Sequence, residues 1–324
     1  MLNPPTVALL IPVFDDWDAA GLLCRELDRA CLGLKAARLQ IYLVDDGSST
    51  GPPTGAFELP PQAVRSITSI RLRRNLGHQR AIALGLAYLY DKTDASAVLV
   101  MDGDGEDKPS DALALVERHL TDPTRIIFAS RRRRLEGLLF RVGYTLYRVS
   151  HRVLTGIEVR IGNFSIVPRH LLGAIVVSGE SWSHYAASVV KARIPFSTVP
   201  MDRGGRLAGQ SRMNYVTLVA HGLSAMSVFR ELIGTRLLLA STAAAAATGV
   251  AILVLFALAA SGRITFAQHS SLLLSLVVLI VLQTLAASFA VAVSILGGRD
   301  QSSFLPIRDY HYFIDTVVTL NGER

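Results

Sequence analysis

Two carboxylates one glycine apart, Asp102 and Asp104, end the apolar run Val98-Leu99-Val100-Met101. A charge-free run of that length reads as a buried strand of a parallel sheet, and open α/β sheets take their ligands at the carboxyl ends of such strands. Gly103 removes side-chain bulk between the two acids, so both can converge on one hard cation and leave positions open for phosphate oxygens. Mg2+ or Mn2+ is the cation such a set predicts, and its task would be to neutralise the charge that grows on a departing diphosphate.

Other residues that could do chemistry also lie at strand ends. Asp15 and Asp16 follow Thr6–Pro12, and Asp45-Asp46-Gly47-Ser48 follows the run Gln40–Val44. Ser66–Leu72 leads into Arg73-Arg74-Asn75-Leu76-Gly77-His78-Gln79-Arg80, where the start of the helix Ala81–Tyr90 offers backbone donors to an anion. Arg125–Ser130 empties into a run of four arginines starting at Arg131. A loop at 202–212 carries Arg203, Arg206 and Arg212, whose guanidinium groups suit bidentate bonding to phosphate, and its length suits a lid.

The elements that must position these groups alternate strand and helix, which predicts a Rossmann-like α/β sheet. Helices are expected at Trp17–Leu32, Ser110–Leu120, from Gly179 to Lys191 and from Met213 to Arg230. Further strands are expected at Ile161–Val167 and Phe196–Met201. Leu138, Leu139, Val142, Leu146, Val149 and Val153 form one apolar stripe, with Arg141, Arg148 and Arg152 elsewhere on the same helix. That pattern suits a surface helix or one lying in a membrane interface. Neither a glycine-rich dinucleotide fingerprint nor a phosphate-binding P-loop is present, which argues against a dehydrogenase or an ordinary ATPase.

Beyond Ile233 the chain changes character. Leu237–Ala260 is free of charge for about 24 residues, or about 36 Å as a helix, enough to cross a bilayer. Leu272–Leu296 is a second such stretch, and the short linker Ser261–Ser271 makes the two a hairpin. Arg230, Arg236, Arg299 and Arg308 flank its outer ends while the linker carries only Arg263, so the domain and the tail are expected on the cytoplasmic side. No signal peptide is read before the first strand. The division expected is a cytoplasmic catalytic domain at 1–212, a juxtamembrane amphipathic helix at 213–236, a transmembrane hairpin at 237–296 and a cytoplasmic tail at 297–324. The formal net charge of +7 fits an anionic lipid bilayer better than nucleic acid once two spans are present. Cys24 and Cys31 are too far apart on one helix for a bridge and read as core residues.

Taken in order, Pro12-Val13-Phe14, Val44-Asp45-Asp46-Gly47-Ser48, Arg74-Asn75-Leu76-Gly77-His78-Gln79-Arg80-Ala81, Met101-Asp102-Gly103-Asp104, Gly162-Asn163-Phe164-Ser165 and Arg206-Leu207-Ala208-Gly209-Gln210-Ser211-Arg212 resemble the motifs of family 2 inverting glycosyltransferases. Within that family the chain looks like the polyprenyl-phosphate glycosyltransferases, relatives of dolichol-phosphate mannose synthase with a carboxyl-terminal membrane hairpin. The resemblance implies a GT-A fold (the nucleotide-diphospho-sugar transferase variant of the Rossmann-like sheet). It also implies a nucleotide-sugar donor carrying UDP or GDP, and a polyprenyl-phosphate acceptor on undecaprenyl or dolichyl chains. The inner membrane is the location implied, and a homo-oligomer and a flippase partner are compatible with it.

Carried over by position, Pro12, Phe14, Asp16, Asp45, Asp46, Asn75, Gly77, Gln79, Arg80, Asp102, Gly103, Asn163 and Ser211 would line the donor pocket. Asp102, Asp104 and Glu106 would hold the metal, and Asp102, Asp104, Arg131 and Arg206 would carry the catalysis. Departures from the family pattern are Glu106-Asp107-Lys108-Pro109 after the aspartates, Asp16 in place of glutamate, and Asn163 in place of an aspartate proposed as a base. They leave one rival of another class: a membrane-tethered binding subunit, catalytically silent, of a glycan-modification complex.

Overall fold

The computed structural model describes residues 4–34, 36–58, 64–131, 149, 152–156, 161–209, 215–263, 268–297 and 304–322. Contacts divide the chain into two units: 1–141, 159–228 and 304–324 form the first, 142–158 and 229–303 the second.

The first unit is built on one eight-stranded sheet in the order β7-β5-β6-β4-β1-β2-β3-β8. Its strands are β1 (Thr6–Val13), β2 (Arg38–Asp45), β3 (Val64–Leu72), β4 (Ala97–Val100), β5 (Ile126–Arg131), β6 (Ser165–Pro168), β7 (Phe196–Met201) and β8 (Ile314–Asn321). β1 to β4 run parallel, whereas β6 is antiparallel to both β4 and β5, and β8 is antiparallel to β3.

Strand β1 shows why the core has two halves. Val7, Leu9, Ile11 and Val13 face helices α1 (Trp17–Ala30) and α3 (Pro109–Thr121), while Ala8 and Leu10 face α2 (His78–Lys92), α4 (Arg169–Val176) and α5 (Tyr185–Lys191). Successive strand residues point to opposite faces, so a strand covered on both must be apolar throughout. The apolar runs predicted as strands are found within a residue or two at β1, β5 and β7.

Four elements differ from the sequence reading, the first being β6, which begins at Ser165 and not at Ile161. Helix α2 begins at His78 rather than Ala81, which puts His78, Gln79 and Arg80 in its first turn. The helix expected from Gly179 is a 3-10 turn, Gly179–Trp182, followed by α5 after a break at His184. The segment expected as a free tail supplies β8, which pairs with β3 along Ile67 to Leu72. By contacts α6 (Tyr215–Ser227) groups with the first unit, and among the described residues it ends before the next helix begins at Arg230.

The second unit contains α7 (Arg230–Ala260) and α8 (Gln268–Gly297). Both are long and apolar enough to cross a membrane. Arg236 sits at the start of this unit and donates to the Val153 carbonyl at 3.1 Å. The predicted amphipathic helix lies mostly outside the described residues: Leu138, Leu139, Arg141, Val142, Leu146 and Arg148 fall there.

Candidate functional site

Parallel pairing brings the carboxyl ends of the central strands level. Val13 is in register with Asp45, and Leu10 with Val100, so Asp16, Asp45, Asp46 and Asp102 emerge along one rim. Gly103 lets the turn after β4 pass over the end of β1: a Cβ there would stand 3.0 Å from the Pro12 carbonyl oxygen. Pro12 is buried beneath this crossing and Phe14 is 40% exposed beside it.

The rim is fastened by its own acids. Asp15 accepts the Ser49 N–H at 2.7 Å and its hydroxyl at 2.8 Å, and Ser48 Oγ accepts the Asp15 N–H at 2.9 Å. Asp45, buried, accepts the Ser48 N–H at 2.8 Å, and its other oxygen lies 3.8 Å from Arg71 Nε. Both oxygens of Asp46 are used on backbone, accepting from Leu76 at 2.7 Å and Gly77 at 2.8 Å. Burial pushes the Asp46 carboxyl up from its usual range, and these two donors pull against that shift. Gly47 has φ +72° and a Cβ there would meet the Arg74–Asn75 backbone at 2.5 Å, so this turn and the 74–77 loop close only on glycine. Asp45 and Asp46, expected against the nucleoside, also hold the rim and the start of α2. Asn75 is exposed on that loop, and Gly77 (φ +97°) turns the chain into the helix.

A chain of polar contacts links a buried backbone amide to His78, which stands beside Asp102. The Tyr185 N–H donates to Gln79 Oε1 at 2.8 Å, which fixes the orientation of the Gln79 amide. Gln79 Nε2 donates to Asn163 Oδ1 at 3.1 Å, Asn163 Nδ2 stands 3.0 Å from His78 Nε2, and that nitrogen stands 3.2 Å from Asp102 Oδ1. Desolvation draws the His78 pKa down, but the Asp102 carboxylate, with Asp46 and Asp107, outweighs it, and the net shift is upward. Asp107, buried, accepts the Asp102 N–H at 2.9 Å and so holds the acidic turn itself.

The loop at 202–209 is closed on that turn. Its backbone donates from Leu207 to the Asp104 carbonyl at 2.9 Å and from Gly204 to the Glu106 carbonyl at 2.8 Å. Arg206 bridges Asp104, at 3.2 Å, and Asp16; Arg203 pairs with Glu106. Leu207 packs directly on Gly105, where a Cβ would lie 2.4 Å from Leu207 Cγ.

The acids expected to hold the metal are paired with bases in this structure. Among the described residues no group of three or more carboxylate, imidazole or thiolate side chains is placed to hold an ion. Asp102, Asp104 and Glu106 each face a basic side chain instead: His78, Arg206 and Arg203. Arg80, expected to meet an anion, stands over the Trp182 ring at 5.0 Å. Arg131 ends β5 opposite Met201 of β7, and Ser211 lies outside the described residues.

Sequence reading placed His78 only as part of the stretch Asn75 to Arg80 lining the donor pocket, and gave Asp107 no role. His78 stands within a quoted motif, but only the start of α2 at this residue turns its ring toward Asp102. Asp107 looks like any loop acid until its burial is known.

What the rim offers is a set of carboxylates balanced by guanidinium groups, beside backbone donors at a helix start. The arginines of such a site can exchange their carboxylate partners for phosphate oxygens, since guanidinium groups donate to either anion in the same way.

Comparison with known proteins bears on the same stretch. The family model described as "Glycosyl transferase family 2" matches residues 9–173, half of the chain. Among curated relatives, an undecaprenyl-phosphate 4-deoxy-4-formamido-L-arabinose transferase from Klebsiella pneumoniae is 29% identical over 117 residues, covering 36% of this chain and 34% of the relative. The protein of the same name from Salmonella choleraesuis is 30% identical over 112 residues, 35% of this chain and 33% of the relative. The matched stretch thus spans about a third of the length of these relatives. Among solved structures, glucosyl-3-phosphoglycerate synthase from Mycobacterium tuberculosis with Mn2+ and UDP-glucose is 14% identical, with 71% of this chain and 79% of that chain covered and a TM-score of 0.48. A mannosyltransferase from Pyrobaculum calidifontis with GDP-Man and Mn2+ is 18% identical, with 96% and 84% covered and a TM-score of 0.41.

Proposed function

Because the chain belongs to glycosyl transferase family 2, we propose that it moves a sugar from a nucleotide-sugar to a polyprenyl phosphate at a membrane surface, with inversion at the anomeric carbon. The observation that carries this reading is the rim itself: Asp102 and Asp104 at the end of the central parallel strand, closed over by Arg206 from a distant loop, in a chain that also has two bilayer-length apolar helices. The names of the relatives, undecaprenyl-phosphate sugar transferases, support the lipid acceptor.

The protein's share of the work is positioning and charge. A lipid phosphate has a second pKa near ~6, as phosphorylated side chains do, so it is largely ionised at neutral pH and attacks without an enzymatic base. Asn163 is then no obstacle: its amide ties Gln79 to His78 and orients the pocket. The departing diphosphate draws Arg206 and Arg203 from their carboxylate partners, and the loop that carries them keeps water from the anomeric carbon. Alignment of attacker and sugar supplies the rest. Asp102 and Asp104 would hold Mg2+ or Mn2+, which would supply neutralising charge for the departing diphosphate. Donor choice between UDP- and GDP-sugars belongs to the loops at 45–50 and 74–77, and the catalytic face is the cytoplasmic one.

Purified full-length protein, undecaprenyl phosphate and a panel of UDP- and GDP-sugars test the reading by appearance of a glycosylated lipid. Binding of nucleotide without transfer from any donor would instead favour the silent binding subunit.

A further inference from the structure

We propose that the segment at 304–321, which follows the second apolar helix in the chain, is a positioning element of the donor pocket and acts chiefly through Arg73. The inference rests on the donor reading above and assigns a part of the chain outside the matched family region to that pocket.

The segment grips the donor-side stretch at both ends. At the entrance, β8 pairs with β3 at Leu72 and Ile314, and its register with Arg71 places Thr316 opposite. One residue on, Arg73 donates its backbone N–H to the Phe313 carbonyl at 2.9 Å and its Nε to the Tyr312 carbonyl at 3.2 Å; its Nη1 lies 3.4 Å from Asp315 Oδ1. Arg71, braced by the same pairing, reaches back to the Ser48 carbonyl at 3.3 Å and toward Asp45. Helix α2 is held from the other side. Tyr310 packs edge-on against Tyr88 and its hydroxyl lies 2.5 Å from Asp91 Oδ2. Phe304 and Phe313 pack against Trp182, with ring centroids 3.9 and 5.3 Å away, and Arg80 lies over that ring.

Between these grips lies the loop that carries Asn75 and Gly77. Arg73, Arg74 and Asn75 are exposed, and Asp46 secures Leu76 and Gly77 from below. An exposed loop fixed at one end by a single carboxylate is free to pivot; a second fixed end at Arg73 removes that freedom. The ion pair to Asp315 is exposed and contributes little by itself. The side-chain bond to Tyr312 and the paired strand matter more, because they set the path of the backbone. Arg73 touches no reacting group, so its effect falls on donor binding and not on the chemical step.

The test uses the full chain in lipid nanodiscs, with Arg73→Ala, Arg73→Lys and Asp315→Asn. UDP and GDP binding is measured by calorimetry, donor KM and kcat by transfer, and amide exchange of 74–79 by mass spectrometry. Arg73→Ala should speed exchange at Leu76 and Gly77 and weaken nucleotide binding about tenfold, as expected for loss of one or two hydrogen bonds, with donor KM rising alike and kcat little changed. Arg73→Lys should recover most of the affinity, and Asp315→Asn should lose little. A wild type that binds UDP or GDP beside an Arg73→Ala protein that binds it equally well overturns the inference alone. Parallel loss of kcat and folded protein, without rescue by lysine, also overturns it, since that is the mark of a merely structural residue. A wild type that binds neither nucleotide sinks the donor reading and this inference with it.

Discussion

Asp46 shows how little separates a binding residue from a structural one. Both of its oxygens accept backbone N–H groups, so an amide in its place presents one donor to a donor. Asp46→Asn should cost about 1–3 kcal/mol in stability, the range for a buried polar group left without its partner, and loosen the 74–77 loop. Denaturant unfolding of the detergent-solubilised chain measures the first, and nucleotide affinity the second. Unchanged stability would mean that the turn does not depend on this carboxylate. Arg206 makes the opposite case, because its partners Asp16 and Asp104 come from separate parts of the chain and hold the 202–209 loop shut. In Arg206→Ala the loop should open, so trypsin should cut after Arg203 faster than in the wild type. Transfer should fall about a hundredfold, as when one donor to a developing anion is removed. Equal rates of cleavage would show that the backbone bonds from Gly204 and Leu207 close the loop without help.

At the scale of elements, the sheet was legible wherever strands are buried on both faces. β1 from Val7 and β5 over Ile126–Ala129 are unbroken apolar runs because neither face meets water there. β8 was not legible in that way: five of its eight residues are exposed, and its strand state comes from pairing with β3 some 240 residues earlier. The start of α2 was hidden for a similar reason, since the acid that secures Leu76 and Gly77 lies at the end of another strand. The same limit governed the site. The spacing of Asp102 and Asp104 places them on the rim, but no spacing reveals that Arg206 and His78 stand against them. How closely α2 packs on the sheet is set by Gly85, where a Cβ would lie 2.4 Å from Leu10 Cδ1 and 2.8 Å from Val44 Cγ2. Gly85→Val should overpack that contact and cost about 1–3 kcal/mol despite the gain from removing a helical glycine. An unfolding midpoint at or above that of the wild type would show that Leu10 and Val44 yield without strain.

For the molecule as a whole, chain connectivity constrains topology more firmly than the count of flanking arginines. Strands β7 and β8 belong to one sheet, and between them the chain passes through α7 and α8. A chain that leaves a folded unit and returns to the same sheet must cross a bilayer an even number of times. If α7 and α8 are the crossings, the turn after Ala260 lies on the face opposite the sheet. The native thiols allow this to be read cleanly. Cys24 and Cys31 are buried, and desolvation pushes them up to about 12 and about 11, so neither should react with a maleimide at neutral pH in the folded chain. Ser261→Cys marks the turn, and Thr54→Cys, exposed on the first unit, marks the sheet side. In sealed vesicles of one orientation, a membrane-impermeant maleimide should label one of these two positions from outside and the other only after the membrane is opened. Labelling of both from the same side would mean that the helices lie along the membrane or outside it, and the reading of a lipid-phosphate acceptor would lose its geometric basis.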